Sequence, residues 1–244
     1  MAELSEIDPL FLSQYINGFF GYGNYGGRWW FVGMEEGGGK TIHEIQRRLS
    51  IWSDRGKHEL EDVAAYHLQL GEQQLFTDPV KSQPTWNKLI RIALSASGVP
   101  FDLEVVKAYQ RDRFGRWNGD TCLMELLPLP SRSTGDWLYS NLSAVPHLTT
   151  REVYREKYAA KRLAHIRQQI AEHRPAAVVF YTVNTWYKQW WEQIAGRSFA
   201  TGEIDGQPYH TTADAHTRYF IVKHPVSHGV SVEYFHHIGQ RLRI

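Results

Sequence analysis

The sequence is poor in cysteine, in net charge and in long apolar runs. Cys122 is the only cysteine among 244 residues. That excludes an internal disulfide framework and any cluster held by four thiolates. It suits a reducing, cytoplasmic setting. The 27 Lys and Arg against 26 Asp and Glu leave a formal charge of +1, so no global field draws the chain onto a polyanion. Any nucleic-acid contact must come from a local patch. The longest clean apolar run, residues 176–181, falls far short of the roughly 20 residues that a membrane-spanning helix needs. No membrane partner is expected. Met1-Ala2-Glu3-Leu4-Ser5-Glu6 has neither the basic nor the apolar stretch of a secretory signal.

What is present is a core. Hydrophobic residues make up 42% of the chain, enough for one large domain over residues 1–244. Helical patterns cover residues 3–16, 40–52, 57–70, 84–97, 150–173, a segment from about 184, and 231–242. Strand patterns cover 28–34, 121–126, 176–181 and 218–223, with a hairpin over 198–213 turning at Asp205-Gly206. Residues 17–27 read as a glycine and aromatic loop. Pro128 and Pro130 read as the end of the second strand and the start of an extended loop. Strands alternating with helices imply an α/β fold of three α/β/α layers around a central, mostly parallel four-stranded sheet.

In such sheets ligands bind at the carboxyl ends of the strands. Three unusual segments fall there: Glu35-Glu36-Gly37-Gly38-Gly39, Pro128-Leu129-Pro130-Ser131 and His224-Pro225-Val226-Ser227-His228-Gly229. Gly39-Lys40-Thr41 after a strand has the look of a phosphate loop, but the glycine that pattern requires five positions earlier is Met34, and two carboxylates would repel phosphates. A nucleotide hydrolase is therefore the weakest alternative.

Together the three segments resemble the uracil-DNA glycosylase superfamily. Its first strand ends in a Gly-x-(Asp/Asn)-Pro-Gly type motif and its late strand in His-Pro-Ser; here Gly33-Met34-Glu35-Glu36-Gly37 and His224-Pro225-Val226-Ser227 stand in those places. The resemblance implies a monofunctional DNA glycosylase, probed by base flipping, with DNA as partner, no cofactor, no metal and a monomeric chain. It casts Glu35, Glu36 and His224 as catalytic: a carboxylate for the developing sugar cation and its water, and a hydrogen-bond donor to the departing base. Gly33, Met34 and Glu125 fall in the base pocket. Gly37, Gly38, Gly39, Ser131, Lys223, Ser227 and His228 fall against DNA, with His228 or Val226 as the wedge. Glu125 stands where the family often has Asn. An ionised carboxylate accepts and does not donate, which suits the cytosine amino group and opposes uracil O4. A modified cytosine is therefore expected, as for the prokaryotic antiviral glycosylases that remove glucosylated hydroxymethylcytosine from phage DNA. The alternative is a nucleic-acid-binding module of the same fold without the chemistry.

Two basic segments complete the reading. Arg111, Arg113 and Arg116 form a basic loop suited to phosphates. The Arg- and Lys-rich helix over 150–173 reads as a solvated face. Trp186, Trp190 and Trp191 read as core.

Overall fold

The computed structural model describes residues 7–133, 135–141 and 145–243. Residues 3–6 of the expected first helix lie outside the described residues. The chain begins with α1 (Pro9–Gly18), capped by the Asp8 carboxylate with Pro9 at the first helical position. Then come β1 (Gly21–Gly23), β2 (Trp29–Gly37), α2 (Ile42–Asp54), β3 (Leu60–Glu61), α3 (Val63–Leu70), α4 (Pro84–Ala96) and α5 (Leu103–Asp112). The second half carries β4 (Thr121–Ser131), α6 (Arg151–His173), β5 (Ala177–Phe180), α7 (Thr185–Ala195), β6 (Ala200–Ile204), β7 (Gln207–Ala213), β8 (Arg218–Ile221) and α8 (Val232–Arg241).

All eight strands form one sheet in the order β3-β1-β4-β2-β5-β8-β7-β6. Its centre, β4-β2-β5-β8, is parallel throughout. The four parallel strands expected from the sequence are thus the middle of a larger, mixed sheet. On one side β1 adds antiparallel to β4 and β3 parallel to β1. On the other, the expected hairpin adds antiparallel to β8, turning at Asp205 and Gly206 with φ of 51° and 71°, as a type I′ turn requires. Successive residues on β2 face opposite sides of the sheet. Trp30 meets His173 of α6, and Phe31 meets Phe114 just beyond α5. Both are fully buried, so helical layers cover both faces.

Two elements depart from the sequence reading. The glycine loop contains β1, where added side chains at Gly21 and Gly23 would run into the β4 backbone. β4 also continues through Pro128 and Pro130 to Ser131. It can do so because the β2–β4 ladder is irregular there: Glu35 pairs with Leu127 and Gly37 with Ser131, so both prolines fall within a register shift, where a missing N–H costs no regular ladder bond.

Candidate functional site

A cavity of about 760 Å³ opens at the carboxyl ends of the parallel strands, taking Glu35 and Glu36 from β2, Glu125 from β4, Tyr181 after β5 and His224 after β8. The expected convergence of distant segments therefore holds. Met34, Gly37, Gly38 and Ser131 also line it.

The two adjacent glutamates diverge. Glu35 turns toward the first turns of α6 and α7. Its Oε1 accepts from Arg155 Nε and Nη2 at 2.9 and 2.8 Å and from the Tyr187 hydroxyl at 3.0 Å, and its Oε2 pairs with Arg151. Arg151 also donates to Ser131 Oγ and to the carbonyls of Ser133 and Asp136. Glu35, expected to act on the sugar, is instead an anionic strut between two arginines and the loop after β4.

Glu36 turns the other way and is 7% exposed. Tyr22 donates to its Oε1 at 2.8 Å and Arg48 at 3.2 Å. No described residue bonds its Oε2. Burial raises its pKa, while Arg48 and Tyr22 oppose that and favour the anion.

Glu125 lies across from Gly33 in the β2–β4 register. The Tyr181 hydroxyl donates to its Oε1. Its Oε2 is buried without a partner. Burial, with the nearby charge of Glu36, pushes its pKa well up. That direction favours the protonated carboxyl, which can donate as well as accept. The expected electrostatic rejection of uracil O4 requires the ionised form, which this burial opposes.

His224 accepts the Val226 N–H at its Nδ1, 3.4 Å away. Burial and the charge of Lys88 lower its pKa. The neutral ring then carries its proton on Nε2, a tautomer assigned from that contact. Its ring centroid lies 5.9 Å from that of Tyr181. Lys88 of α4 holds the following turn through the Pro225 carbonyl.

Several expected contacts fall elsewhere. Gly33 does not line the cavity; it sits beneath Glu125 and Tyr181, and a Cβ there would lie 2.1 Å from each. Gly39 and Lys40 turn their amides onto the Glu44 carboxylate, both at 3.0 Å. That turn binds its own side chain, which leaves the Gly39 amide unable to take a DNA phosphate and removes the phosphate-loop reading. Lys223 Nζ reaches Gln207 Oε1 at 2.7 Å, away from the cavity. Ser227 closes the turn through its amide to the His224 carbonyl, and neither it nor His228 lines the cavity. Val226, the other residue expected as the wedge, does line it and is 56% exposed. The basic segment is also spoken for: Arg111 pairs with Asp78 and Asp112, and Arg116 with Asp62. Trp191 is fully buried against Phe180, as expected of core.

The sequence reading missed Arg48, Arg151, Arg155, Tyr181 and Tyr187. A signal existed for two of them. Arg151 and Arg155 share a helix face with Arg162, which lies 2% exposed and donates to the carbonyls of Leu126, Ile16 and Glu125. The helix taken for a solvated face thus points Arg151, Arg155 and Arg162 inward, while Lys157, Lys161 and Arg167 keep an exposed face. Among the described residues no cluster of His, Cys, Asp or Glu could hold a metal, and no helix is long and apolar enough to cross a membrane. The chain matches no known family and no curated protein by sequence comparison.

Proposed function

We propose that this protein is a DNA glycosylase that hydrolyses the N-glycosidic bond of a flipped, modified pyrimidine. The observation that carries the reading is the meeting of three groups from distant strand ends in one cavity: Glu36 held by Arg48 and Tyr22, Glu125 held by Tyr181, and His224. As the C1′–N1 bond breaks, its electron pair leaves with the base and the sugar becomes cationic. His224 Nε2–H donates to the base oxygen that gains charge. Glu36 faces the cation, orients the attacking water and takes its proton. Glu125 binds the ring edge, with its carbonyl oxygen accepting and its hydroxyl donating.

A neutral acid fits the donor and acceptor pair of either cytosine or uracil. The preference for modified cytosine rests instead on room. A cavity of about 760 Å³ is the size that takes a drug-sized ligand, more than a bare pyrimidine fills. Its outer part offers Trp86, Gln74, Ser82 and Gln83, an aromatic face and amides suited to a polar substituent such as a sugar. A glucosylated hydroxymethylcytosine substrate would place the enzyme in antiviral defence.

The test is abasic-site formation on oligonucleotides carrying uracil, hydroxymethylcytosine or its glucosylated form. Glu36→Gln and His224→Ala should each lower the single-turnover rate by about 10²–10⁴-fold, with DNA affinity little changed. Absence of product from every substrate, with binding retained, would leave a nucleic-acid-binding module instead.

A further inference from the structure

The acids that line the cavity are almost all engaged by the protein. Glu35 and Glu36 are held by arginines, Glu44 by Arg48 and two backbone amides, and Glu125 by Tyr181. Three cations that line the same cavity are not. Lys40 follows the glycine turn after β2, Lys81 precedes α4, and Arg132 follows β4. All three line the cavity and all are exposed. Among the described residues none of their side chains meets a carboxylate, whereas Arg48, Arg55, Arg111, Arg116, Arg151 and Arg155 all do. Among the described residues Glu72 and Glu125 are the lining acids without a cationic partner; Glu72 accepts from Gln74 and Glu125 from Tyr181. Ser82, Thr85 and Ser133 supply hydroxyls along the same cavity.

Three segments far apart in sequence thus bring to one cavity positive charge that no carboxylate among the described residues pairs, on a chain whose total charge is close to zero. Exposed cations left without acids, beside short hydroxyls, suit phosphate oxygens. We propose that Lys40, Lys81 and Arg132 form a three-point clamp for the phosphates that flank a nucleotide entering the cavity. The clamp needs the nucleic-acid part of the reading above and none of its chemistry. It takes over from Gly39, Ser227 and Lys223, which the fold turns elsewhere, as the contact to the DNA backbone. Because it reads phosphate, it holds any sequence equally, and the cavity alone chooses the base.

The experiment is fluorescence anisotropy of a labelled duplex, and of its matching single strand, at salt between about 50 and 200 mM. Each phosphate contact adds about 0.9 to the slope of log K against log salt on duplex, and about 0.7 on a single strand. Lys40→Ala, Lys81→Ala and Arg132→Ala should each lower the slope by about 1, and the triple variant by nearly 3. The loss should be the same for unrelated sequences. Lys40→Arg, Lys81→Arg and Arg132→Lys combined should keep the slope, which separates charge from fold. Lys157→Ala, an exposed cation on α6 away from the cavity, should change nothing. An unchanged slope in the triple variant, an equal drop in Lys157→Ala, or no binding of either strand form by the unaltered protein overturns the clamp. Base release that survives with an unchanged slope leaves the glycosylase reading standing without the clamp. A lowered slope with no base release on any substrate leaves the clamp standing without the glycosylase.

Discussion

The Tyr181 hydroxyl donates to Glu125 Oε1 over the α-carbon of Gly33, so that a side chain at position 33 would occupy the space of both groups. A hydrogen on one residue of β2 is therefore what allows β4 and the turn after β5 to join their polar groups in the floor of the cavity. The pair explains why a carboxyl can sit there. Buried charge without a partner is costly, and burial shifts the group toward its protonated form.

Gly33→Ala should disrupt that pair before it disrupts the strand. The added Cβ falls 2.1 Å from Glu125 Oε2 and 2.1 Å from the Tyr181 hydroxyl, and overpacking of this kind costs about 1–3 kcal/mol. Glu125→Ala should relieve much of it, so the double variant should be more stable than the sum of the single effects predicts. Strict additivity in chemical denaturation would show that the two sites do not meet.

Glu125 should also leave a signature in stability against pH. Its folded pKa is raised far above that of the unfolded chain. Below the unfolded value both states hold the proton and the contribution is complete. Between the two values the unfolded chain has released a proton that the folded chain keeps, so stability falls as pH rises, by about 1.4 kcal/mol per pH unit for one group. Glu36 is shifted the same way. Glu125→Gln removes one of these protons. Its stability should decline less steeply than that of the parent from about pH 5 upward, which denaturation midpoints across that range would show; parallel curves would mean that Glu125 is ionised in the fold.

Residues near the strand ends show what was legible in the sequence and what was not. Hydrophobic runs located β2, β5 and β8, and the order of motifs brought Glu36, Glu125 and His224 to one cavity, because parallel strands with helical crossovers leave their carboxyl ends together. The edge strands were harder. β1 and β3 are three and two residues long, too short to show a period. Side-chain direction was harder still. Glu35 and Glu36 are the same residue type one position apart, and only tertiary partners decide that one meets Arg151 and Arg155 while the other meets Arg48. The same holds for Lys223, adjacent to His224 yet bonded to Gln207 of β7.

That divergence separates the two glutamates by experiment. Removing one partner of a buried ion pair costs about 3–5 kcal/mol, so Glu35→Gln should lower stability substantially and loosen the loop after β4 through Arg151. Glu36→Gln also breaks a buried pair, but Arg48 keeps Glu44 as a second carboxylate, whereas Arg151 and Arg155 have only Glu35 among the described residues; Glu36→Gln should therefore cost less stability than Glu35→Gln while losing turnover. Melting temperatures and single-turnover rates measured side by side distinguish them. A Glu35→Gln variant with unaltered stability and no turnover would return the catalytic role to Glu35.

Val226 should matter only when there is a stack to open. It lines the cavity and is 56% exposed, so its methyl groups are free to meet a base step. Its backbone is steadied on both sides: Lys88 grips the Pro225 carbonyl, and the Ser227 amide bonds the His224 carbonyl. Apolar wedges of this kind enter between base steps and offset the few kcal/mol that unstacking costs. Val226→Ser should therefore slow base release from duplex by about tenfold or more, since each 1.4 kcal/mol of lost wedge contact is a factor of ten. On the matching single strand, where the nucleotide is already free, the rate should stay within about twofold. His228→Ala, lying outside the cavity, should leave both substrates unaffected. If His228→Ala instead carries the duplex-specific defect, the wedge lies two residues further along the turn than the exposed side chain indicates.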